Sequence, residues 1–370
     1  MTTNHMKLGI ITYHFGHNYG AMLQAYAMQA ALRNLGHEPY FVYLRKDYQF
    51  TNKYQRRKPR SLKGLALTVV MRLLRKPLQR RYERFEAFLA KELPLTSHYA
   101  SEQDLSASPP DLDGYVCGSD QIWNLQSGLN EFFYGKYVPN NATLVSYAPS
   151  FGNVSIPEEH AGKVHELLNR FDQLAVREES GCEMVRKLTG REVTRTIDPV
   201  FLIENKTWEE LATPPSITKP YIAFYALEMS SRASAVVARI AKMTKMPVVV
   251  IAKGGAFMLT CRTRLAIDAG PREFLGLLKN ASMVLTNSFH ATVFAMKFDV
   301  PFVTIAHSHR NARMENLLSL AGLKDRLVHN AAGLNNWSRE RLLTPSGQIA
   351  EQNLASEIKA SKTYLKSALE

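Results

Sequence analysis

Residues 283–301 combine side chains that could carry out acid–base chemistry with a pattern that would position them. Apolar residues 283–286 are followed by the polar segment Asn287-Ser288-Phe289-His290 and then by further apolar residues. This pattern predicts a strand, a turn and a helix. A histidine at such a junction lies at the carboxyl edge of a parallel sheet, beside a helix N-terminus, where ligands and anions bind. His290 is therefore the first candidate for chemistry, although a histidine there can equally cap the helix or fill a gap between layers.

Two more charged side chains directly follow predicted strands and would lie at the same kind of edge. Asp120, with Gln121 beside it, comes after residues 114–117, and Arg177 comes after residues 173–176. A guanidinium is the side chain best shaped to hold carboxylate and phosphate oxygens. The structural alternatives are that Asp120 caps a short helix, which is worth about 1 kcal/mol, and that a neighbouring glutamate holds Arg177 in an ion pair.

Four basic side chains follow the predicted strand at residues 302–305: His307, His309, Arg310 and Arg313. The His-x-His pair lacks a third ligand at a sensible spacing, so the sequence predicts no metal site. A cationic rim that serves an acidic small molecule is the favoured interpretation.

A glycine-containing loop precedes the first predicted helix. Gly16, Asn18, Tyr19 and Gly20 lie in it, and its backbone amides could meet a phosphate or a sugar hydroxyl. The loop is not a GxGxxG fingerprint, so ordinary turn chemistry remains the alternative.

These residues must be positioned by alternating strands and helices. Residues 8–13, 21–35 and 40–44 predict a βαβ unit, which opens a parallel sheet. Further predicted strands are 114–117, 144–148, 173–176, 196–197, 221–227, 248–252, 283–286 and 302–305, and further predicted helices are 231–243 and 272–278. A boundary near residue 213 separates two α/β sets, so we expect two similar lobes, residues 1–212 and 213–345. Residues 346–370 predict a last helix that crosses back to the first lobe.

The positive charge of the chain is concentrated in one segment. The net charge is +13, and residues 53–84 hold twelve basic residues and one acidic residue, a net of +11. Residues 53–92 alternate these charges with apolar residues at helical spacing, which suits an anionic membrane surface. The alternative is a solvated helix that packs its apolar stripe on its own lobe. No nucleic-acid motif accompanies the segment.

Cysteine usage and hydropathy indicate a compartment. Cys117, Cys182 and Cys261 are far apart and form no disulfide framework or zinc spacing, and no run of apolar residues is long enough to span a bilayer. We therefore expect a cytoplasmic protein, with peripheral contact at the inner membrane face through residues 53–84.

Several ordered segments together resemble the polysaccharide pyruvyl transferase family. The matching segments are 18–27 (Asn-Tyr-Gly-Ala-x-Leu-Gln-Ala-Tyr-Ala), 118–124, 146–152, 177–181, 198–202, 288–290 and Pro301. The resemblance implies a GT-B-like fold, α/β with two Rossmann-like lobes around a central cleft. It makes the N-terminal lobe the acceptor side and the C-terminal lobe the donor side.

The resemblance also implies a reaction. Known members transfer the pyruvyl group of phosphoenolpyruvate onto two hydroxyls of a sugar and release phosphate. We therefore expect phosphoenolpyruvate as the donor substrate and no cofactor. An arginine of the first lobe and an Arg-Leu-His run of the second act on phosphoenolpyruvate. Arg177 matches the first and His290 ends the second, but Ser288 stands where the run begins with arginine, so Arg310 or Arg313 must supply that charge or the donor differs.

The resulting hypothesis assigns roles to residues. His290 acts as the general acid on the donor methylene and Asp120 as the base for the acceptor hydroxyl. The expected substrate-binding residues are Arg177, Ser288, Phe289, Arg310, Arg313, Asn18, Tyr19, Gly20 and Gln121.

The expected partners are phosphoenolpyruvate and a saccharide acceptor of a cell-surface or exopolysaccharide precursor, with a lipid-linked acceptor as one form. Two other functions stay open. One is a nucleotide-sugar glycosyltransferase of GT-B type, and the other is a non-catalytic saccharide-binding protein on the same fold.

Overall fold

The computed structural model describes residues 5–45, 72, 74–152, 155–251, 263–308 and 311–370. Four features of interest in the sequence lie outside these residues: Cys261, His309, Arg310 and most of the basic segment, residues 46–71 and 73.

The first lobe is built on a parallel sheet with strand order β2-β1-β3-β4. These strands are β1 (Lys7–Ile11), β2 (Glu38–Phe41), β3 (Gly114–Cys117) and β4 (Thr143–Ser146). A bridge from Val145 to Gln173 extends the sheet toward a parallel pair, β5 (Ala175–Val176) and β6 (Thr194–Arg195). The central strands are short apolar runs because helices cover both faces of the sheet. The helices of this lobe are α1 (Tyr19–Asn34), α2 (Arg75–Glu92), α3 (Glu102–Ala107), α4 (Glu158–Leu168), α5 (Glu179–Thr189) and α6 (Asn205–Leu211).

The second lobe is built on a six-stranded parallel sheet with order β12-β11-β10-β7-β8-β9. Its strands are β7 (Ile222–Tyr225), β8 (Val248–Val250), β9 (Thr263–Leu265), β10 (Met283–Thr286), β11 (Phe302–Ile305) and β12 (Leu327–Val328). Its helices are α7 (Ser231–Thr244), α8 (Pro271–Lys279), α9 (Phe289–Lys297), α10 (Ala312–Leu320), α11 (Arg339–Leu343) and α12 (Gly347–Ser367). Strand β10 lies at the centre, between β7 and β11.

The expected fold class is confirmed: the chain is α/β, with two parallel-sheet lobes. Three local predictions were wrong. The strand expected at residues 196–197 is β6, two residues earlier, and the strand expected at residues 40–44 is β2, which begins at Glu38 and ends at Phe41. The loop after β1 ends sooner because α1 begins at Tyr19. The side chain of Asn18 ends the loop by accepting hydrogen bonds from the amides of Gly20 and Ala21, at 3.0 and 3.5 Å.

Side chains from both lobes join at the back of the cleft. Tyr19 is fully buried, stacks on Phe274 with ring centroids 4.4 Å apart, and donates a hydrogen bond to the carbonyl of Ala269 at 2.7 Å. Helix α12 leaves the second lobe and reaches the first, where the Tyr364 hydroxyl donates to the carbonyl of Ser146 at 2.9 Å. The two sheets are therefore held with their carboxyl edges facing one cleft.

The described part of the basic segment packs on the protein itself. Arg84 pairs with Asp268 and Glu273 of the second lobe, each at 3.3 Å, and Arg80 also contacts Asp268. Arg81 is buried with its guanidinium 5.0 Å from the centre of the Tyr19 ring. These three cations are therefore committed to the junction between the lobes.

Among the helices of the described residues, none combines the length and the apolar character that crossing a bilayer requires.

Candidate active site

The carboxyl ends of strands from both sheets meet at one cavity of about 340 Å³. The first lobe contributes Asn18, Asp120 and Gln121 to its wall. The second lobe contributes Ser288, Phe289, His290, His307 and Arg313. Open α/β sheets bind ligands at this edge because the strands end there in loops and helix N-termini.

His290 lies in this wall, on the first turn of α9, and is 7% exposed. Its Nε2 lies 3.2 Å from Oδ2 of Asp198. That nitrogen is buried and its contact with Asp198 lacks hydrogen-bond geometry, and no hydrogen bond from the described residues engages Nδ1. The ring is therefore oriented by a carboxylate on one side and can meet a ligand with the other.

Gly20 makes room for this imidazole. A Cβ atom at residue 20 would lie 2.2 Å from Nδ1 of His290, which is far inside van der Waals contact. The amide of Gly20 is already bonded to the side chain of Asn18. The loop amide expected to bind a ligand is thus already hydrogen-bonded within the protein. The contribution of Gly20 is the space that its missing side chain leaves for His290.

Asp198 is a buried carboxylate that joins the other groups. Oδ1 accepts a hydrogen bond from the amide of Val200 at 3.0 Å, and Oδ2 lies 2.9 Å from Nη2 of Arg177 and 3.2 Å from His290. Burial by itself would raise the pKa of Asp198, but the charges of Arg177 and His290 outweigh it and lower the pKa to about 2. The carboxylate is therefore ionised, with the Arg177 guanidinium on one side and the His290 imidazole on the other.

Arg177 is a buried cation with unused donors. Its Nη2 donates a hydrogen bond to Oγ of Ser119 and forms an ion pair with Asp198. Its Nε and Nη1 are buried and have no hydrogen-bond partner among the described residues. Native proteins rarely leave buried donors unpaired, so these two groups require a ligand or a water.

Phe289 separates Arg177 from the main cavity and lies between two cations. Its ring centre is 5.1 Å from the guanidinium carbon of Arg177 and 5.7 Å from that of Arg313. Arg313 is also held by Gln121, whose side-chain oxygen, with the amide turned toward it, accepts from Nε at 3.2 Å and Nη2 at 3.3 Å. Burial and the neighbouring Arg177 lower the pKa of Arg313. The aromatic ring thus fixes two guanidinium groups close together.

Some of the other predicted site residues reach the cavity and some do not. Asp120 and Asn18 reach the cavity, and Asp120 has a left-handed backbone with φ of 71°. Ser288 lines the cavity as the N-cap of α9, with Oγ 3.5 Å from the amide of Ala291. The side chain of Tyr19 is not brought to the cavity, because it belongs to the core between the lobes. Arg310 lies outside the described residues.

A second carboxylate–imidazole pair stands in the same wall. Nδ1 of His307 lies 2.8 Å from Oε2 of Glu228, and Nε2 lies 2.8 Å from the carbonyl oxygen of Asn287. Glu228 also accepts from the amide of Ser308, and this bond with the His307 contact lowers the pKa of Glu228 to about 2. His307 therefore ties together the loops that follow β7, β10 and β11.

Sequence reasoning did not include Asp198 among the site residues. The signal was present, since Asp198 follows a predicted strand and opens the matching segment 198–202. What the sequence lacked was the distance between Asp198, Arg177 and His290. No group of three or more potential metal ligands occurs in the part of the chain that the structure describes.

Comparison with solved structures gives remote similarities that concern the fold alone. The spinosyn forosaminyltransferase SpnP is 12% identical with a TM-score of 0.44, over 99% of this chain and 95% of that protein. The Arabidopsis thaliana protein UGT89C1, solved with UDP-L-rhamnose, is 12% identical with a TM-score of 0.44, over 99% of this chain and 94% of that one. No curated protein sequence matches significantly.

The fold and the site define a two-lobed α/β protein with a charged cavity between the carboxyl edges of its sheets. The model of one family, polysaccharide pyruvyl transferase, matches residues 18–309. This chain belongs to the polysaccharide pyruvyl transferase family, which is a family of enzymes.

Proposed function

We propose that this protein transfers the pyruvyl group of phosphoenolpyruvate onto two hydroxyls of one sugar, forming a cyclic ketal and releasing phosphate. The methylene carbon gains a proton and becomes a methyl group. Two sugar oxygens bond to the adjacent carbon, and the bond from that carbon to the phosphate oxygen breaks. Of the two hydroxyl protons, one balances the new methyl group and the other leaves with phosphate.

One observation carries the proposal: the shared carboxylate of Asp198. It holds Arg177 at 2.9 Å and His290 at 3.2 Å, which brings an anion-binding cation and a proton donor to one place. An anionic donor with a carbon to be protonated needs this combination.

The proton path follows from the orientation of His290. With Nε2 directed at Asp198, the proton is delivered from Nδ1, the nitrogen above Gly20. Asp198 stabilises the protonated ring before transfer. Asp120, across the cavity, takes the proton of the attacking hydroxyl and can return it through solvent.

The donor's negative charges meet Arg313 in the cavity wall, and Arg177 attracts them from behind the Phe289 ring. Ser288 supplies no charge, and Arg313 is held beside the same ring. The cavity of about 340 Å³ is near the lower end of small-molecule sites, which span about 300–1,000 Å³, so it suits a donor of the size of phosphoenolpyruvate.

The test follows phosphate release from phosphoenolpyruvate with a panel of sugar acceptors, and donor binding by calorimetry. His290→Ala is expected to keep donor binding and to lower turnover by about 10²- to 10⁴-fold, the usual contribution of a general acid. Arg177→Lys keeps a charge beside Asp198 but loses the guanidinium geometry, so donor binding should weaken about tenfold or more.

His329→Ala and Arg339→Lys are the matched controls, because both residues are exposed and lie outside the cavity. Absence of both donor binding and phosphate release in the wild-type protein would reject phosphoenolpyruvate as donor. Full activity of His290→Ala would reject the acid role. Binding of UDP in place of phosphoenolpyruvate would favour a nucleotide-sugar transferase.

We also propose that the acceptor is a lipid-linked precursor of a cell-surface polysaccharide at the cytoplasmic face of the membrane. The basic residues 53–63 would contact anionic lipid there, each worth about 1 kcal/mol. The test replaces four of them with glutamine and measures binding to phosphatidylglycerol vesicles: Arg56, Arg57, Lys58 and Arg60. The control replaces four exposed lysines elsewhere: Lys206, Lys219, Lys359 and Lys362. Equal vesicle binding by the two variants would remove the membrane contact.

A further inference from the structure

A larger cavity, of about 810 Å³, lies wholly in the first lobe beside the candidate active site. Four aromatic side chains line it: Tyr13, Phe15, Phe132 and Phe133. Tyr13 and Phe133 meet edge to face with ring centroids 4.5 Å apart, so part of the wall is rigid. A wall of this kind binds flat apolar surfaces, and the axial C–H face of a pyranose is such a surface.

The two cavities adjoin. Tyr13, Phe15 and Gly16 line both of them. Asp120 lines the active-site cavity next to these residues, and its charge, second to burial, raises the pKa of Tyr13. A ligand seated in the large cavity would therefore lie next to the cavity that Asp120 and His290 line.

The charge of the large cavity differs from that of the donor cavity. Among the described residues that line it, Arg45 is the one arginine, and Glu86 holds it with both carboxylate oxygens, at 3.1 and 3.2 Å. His17 contacts the same carboxylate at 2.9 Å. The exposed rim carries Glu102 and the amide of Gln103. This charge balance disfavours phosphate and carboxylate groups and suits hydroxyls, which carboxylates and amides bind.

We propose that this cavity binds a neutral sugar unit of the acceptor, with the aromatic wall against its C–H face and two of its hydroxyls directed past Tyr13 toward the active-site cavity. The charged carrier of the acceptor stays outside the cavity. The use of the site in ketal formation rests on the proposed function, whereas sugar binding itself does not.

The experiment measures saturation-transfer NMR signals of methyl β-D-galactoside, methyl β-D-glucoside and methyl α-D-mannoside against the full-length protein. Methyl β-D-glucuronide and UMP serve as anionic probes. Ala100→Trp inserts a bulky ring from the exposed rim into the cavity, and Ala107→Trp, an exposed residue of α3 outside the lining, is the matched control. Both substitutions are at the surface, so the fold is expected to survive them.

At least one neutral glycoside is expected to give a signal that Ala100→Trp reduces tenfold or more and Ala107→Trp leaves unchanged. The glucuronide should bind at least tenfold more weakly than the neutral glycoside of the same configuration. The proposal is overturned if no neutral glycoside binds, if Ala100→Trp binds as well as Ala107→Trp does, or if the anionic probes bind better.

A measurement of phosphoenolpyruvate binding separates this inference from the proposed function. Ala100→Trp should bind phosphoenolpyruvate within twofold of wild type, since the residue lies outside the donor cavity. If the wild-type protein binds a neutral glycoside, Ala100→Trp loses that binding and neither protein binds phosphoenolpyruvate, the donor is rejected and the sugar site is kept. If the wild-type protein binds phosphoenolpyruvate but no glycoside, the sugar site is rejected and the donor is kept.

Discussion

At the scale of single residues, the site depends on one buried carboxylate that lies between a guanidinium and an imidazole. Asp198 would be expensive to bury alone, and so would Arg177, but the 2.9 Å contact between them compensates part of that cost. His290 completes the group without adding a second unpaired charge. Removal of the carboxylate would therefore leave a buried guanidinium unpaired and an imidazole unoriented.

Asp198→Asn is expected to destabilise the protein at pH 7 by about 3–5 kcal/mol, the usual cost of breaking a buried pair from one side. The pKa of Asp198 is about 2 in the folded chain and ordinarily 3.8, so its ionised form stabilises the fold above about pH 4. That contribution is lost as the pH falls toward 2. Urea unfolding at pH 7, 4 and 3 should show the difference between wild type and variant narrowing at pH 3.

Asp111→Asn is the control, because Asp111 is exposed and outside the site. A constant difference between wild type and Asp198→Asn at all three pH values would contradict the assignment of a low pKa to Asp198.

Gly20→Ala should disable His290 without touching any charged group. The new Cβ would lie 2.2 Å from Nδ1, so the imidazole must turn away from Asp198. Turnover is expected to fall about 10²-fold or more, in line with displacement of a catalytic group by about 1 Å. Gly162→Ala, in α4 with open space around it, is the matched control. Turnover within twofold of wild type for Gly20→Ala would show that His290 is not the proton donor.

At the scale of elements, the site is assembled from loops at the carboxyl ends of parallel strands. Three loops of the second lobe are joined by His307, which contacts the Glu228 carboxylate and the Asn287 carbonyl at 2.8 Å each. Asn287 adds hydrogen bonds to the amide of Leu227 and the carbonyl of Glu228, at 2.7 Å each. The start of α9, which carries Phe289 and His290, is held by these contacts.

His307→Gln should loosen these loops, because a glutamine amide cannot donate to both oxygens in the imidazole geometry. The amides of Leu227 and Ser308 bond to Asn287 and Glu228, so their hydrogen exchange should speed up by about three- to tenfold, the loss of about 0.5–1.5 kcal/mol. The amide of Arg341, bonded to Ser338 Oγ in another part of the fold, should exchange at its wild-type rate. Unchanged exchange at Leu227 and Ser308 would mean that the loops are held without His307.

At the scale of the whole molecule, helix α12 and the core around Tyr19 fix one lobe on the other. Helix α12 contacts the first lobe through three groups: Tyr364 bonds to the Ser146 carbonyl, Ser361 accepts from the amide of Ile197, and Glu357 pairs with Arg195. The amide of Ile197 precedes Asp198 by one residue. The helix that crosses between lobes therefore also supports the backbone that carries the shared carboxylate.

Tyr364→Phe removes the buried hydroxyl that α12 donates to the first lobe. The free energy of unfolding should fall by about 0.5–1.5 kcal/mol, plus the cost of leaving the Ser146 carbonyl unpaired at that position. Tyr40→Phe, at a half-buried position where the hydroxyl donates to the nearby Glu38, is the control. Urea unfolding measures both variants, and equal stabilities would show that the crossing helix is held by its apolar contacts alone.

The sequence determined the elements and the edge at which the site lies. Strand and helix periods are local properties, so the βαβ start, strand β10 and helix α9 could be predicted within a few residues. Because all strands of a parallel sheet end at one edge, the positions of Asp120, Arg177 and His290 after strands already indicated a common cleft.

Tertiary structure alone decided which of these groups touch. The shared carboxylate of Asp198, the space above Gly20 and the ring of Phe289 between two guanidiniums join residues as far apart as 20 and 290. The burial of Tyr19 in the core was likewise invisible in a loop that otherwise suggested ligand contact. Such contacts depend on how two sheets and a crossing helix pack in three dimensions, and hydrophobic periodicity along the chain carries no information about those distances.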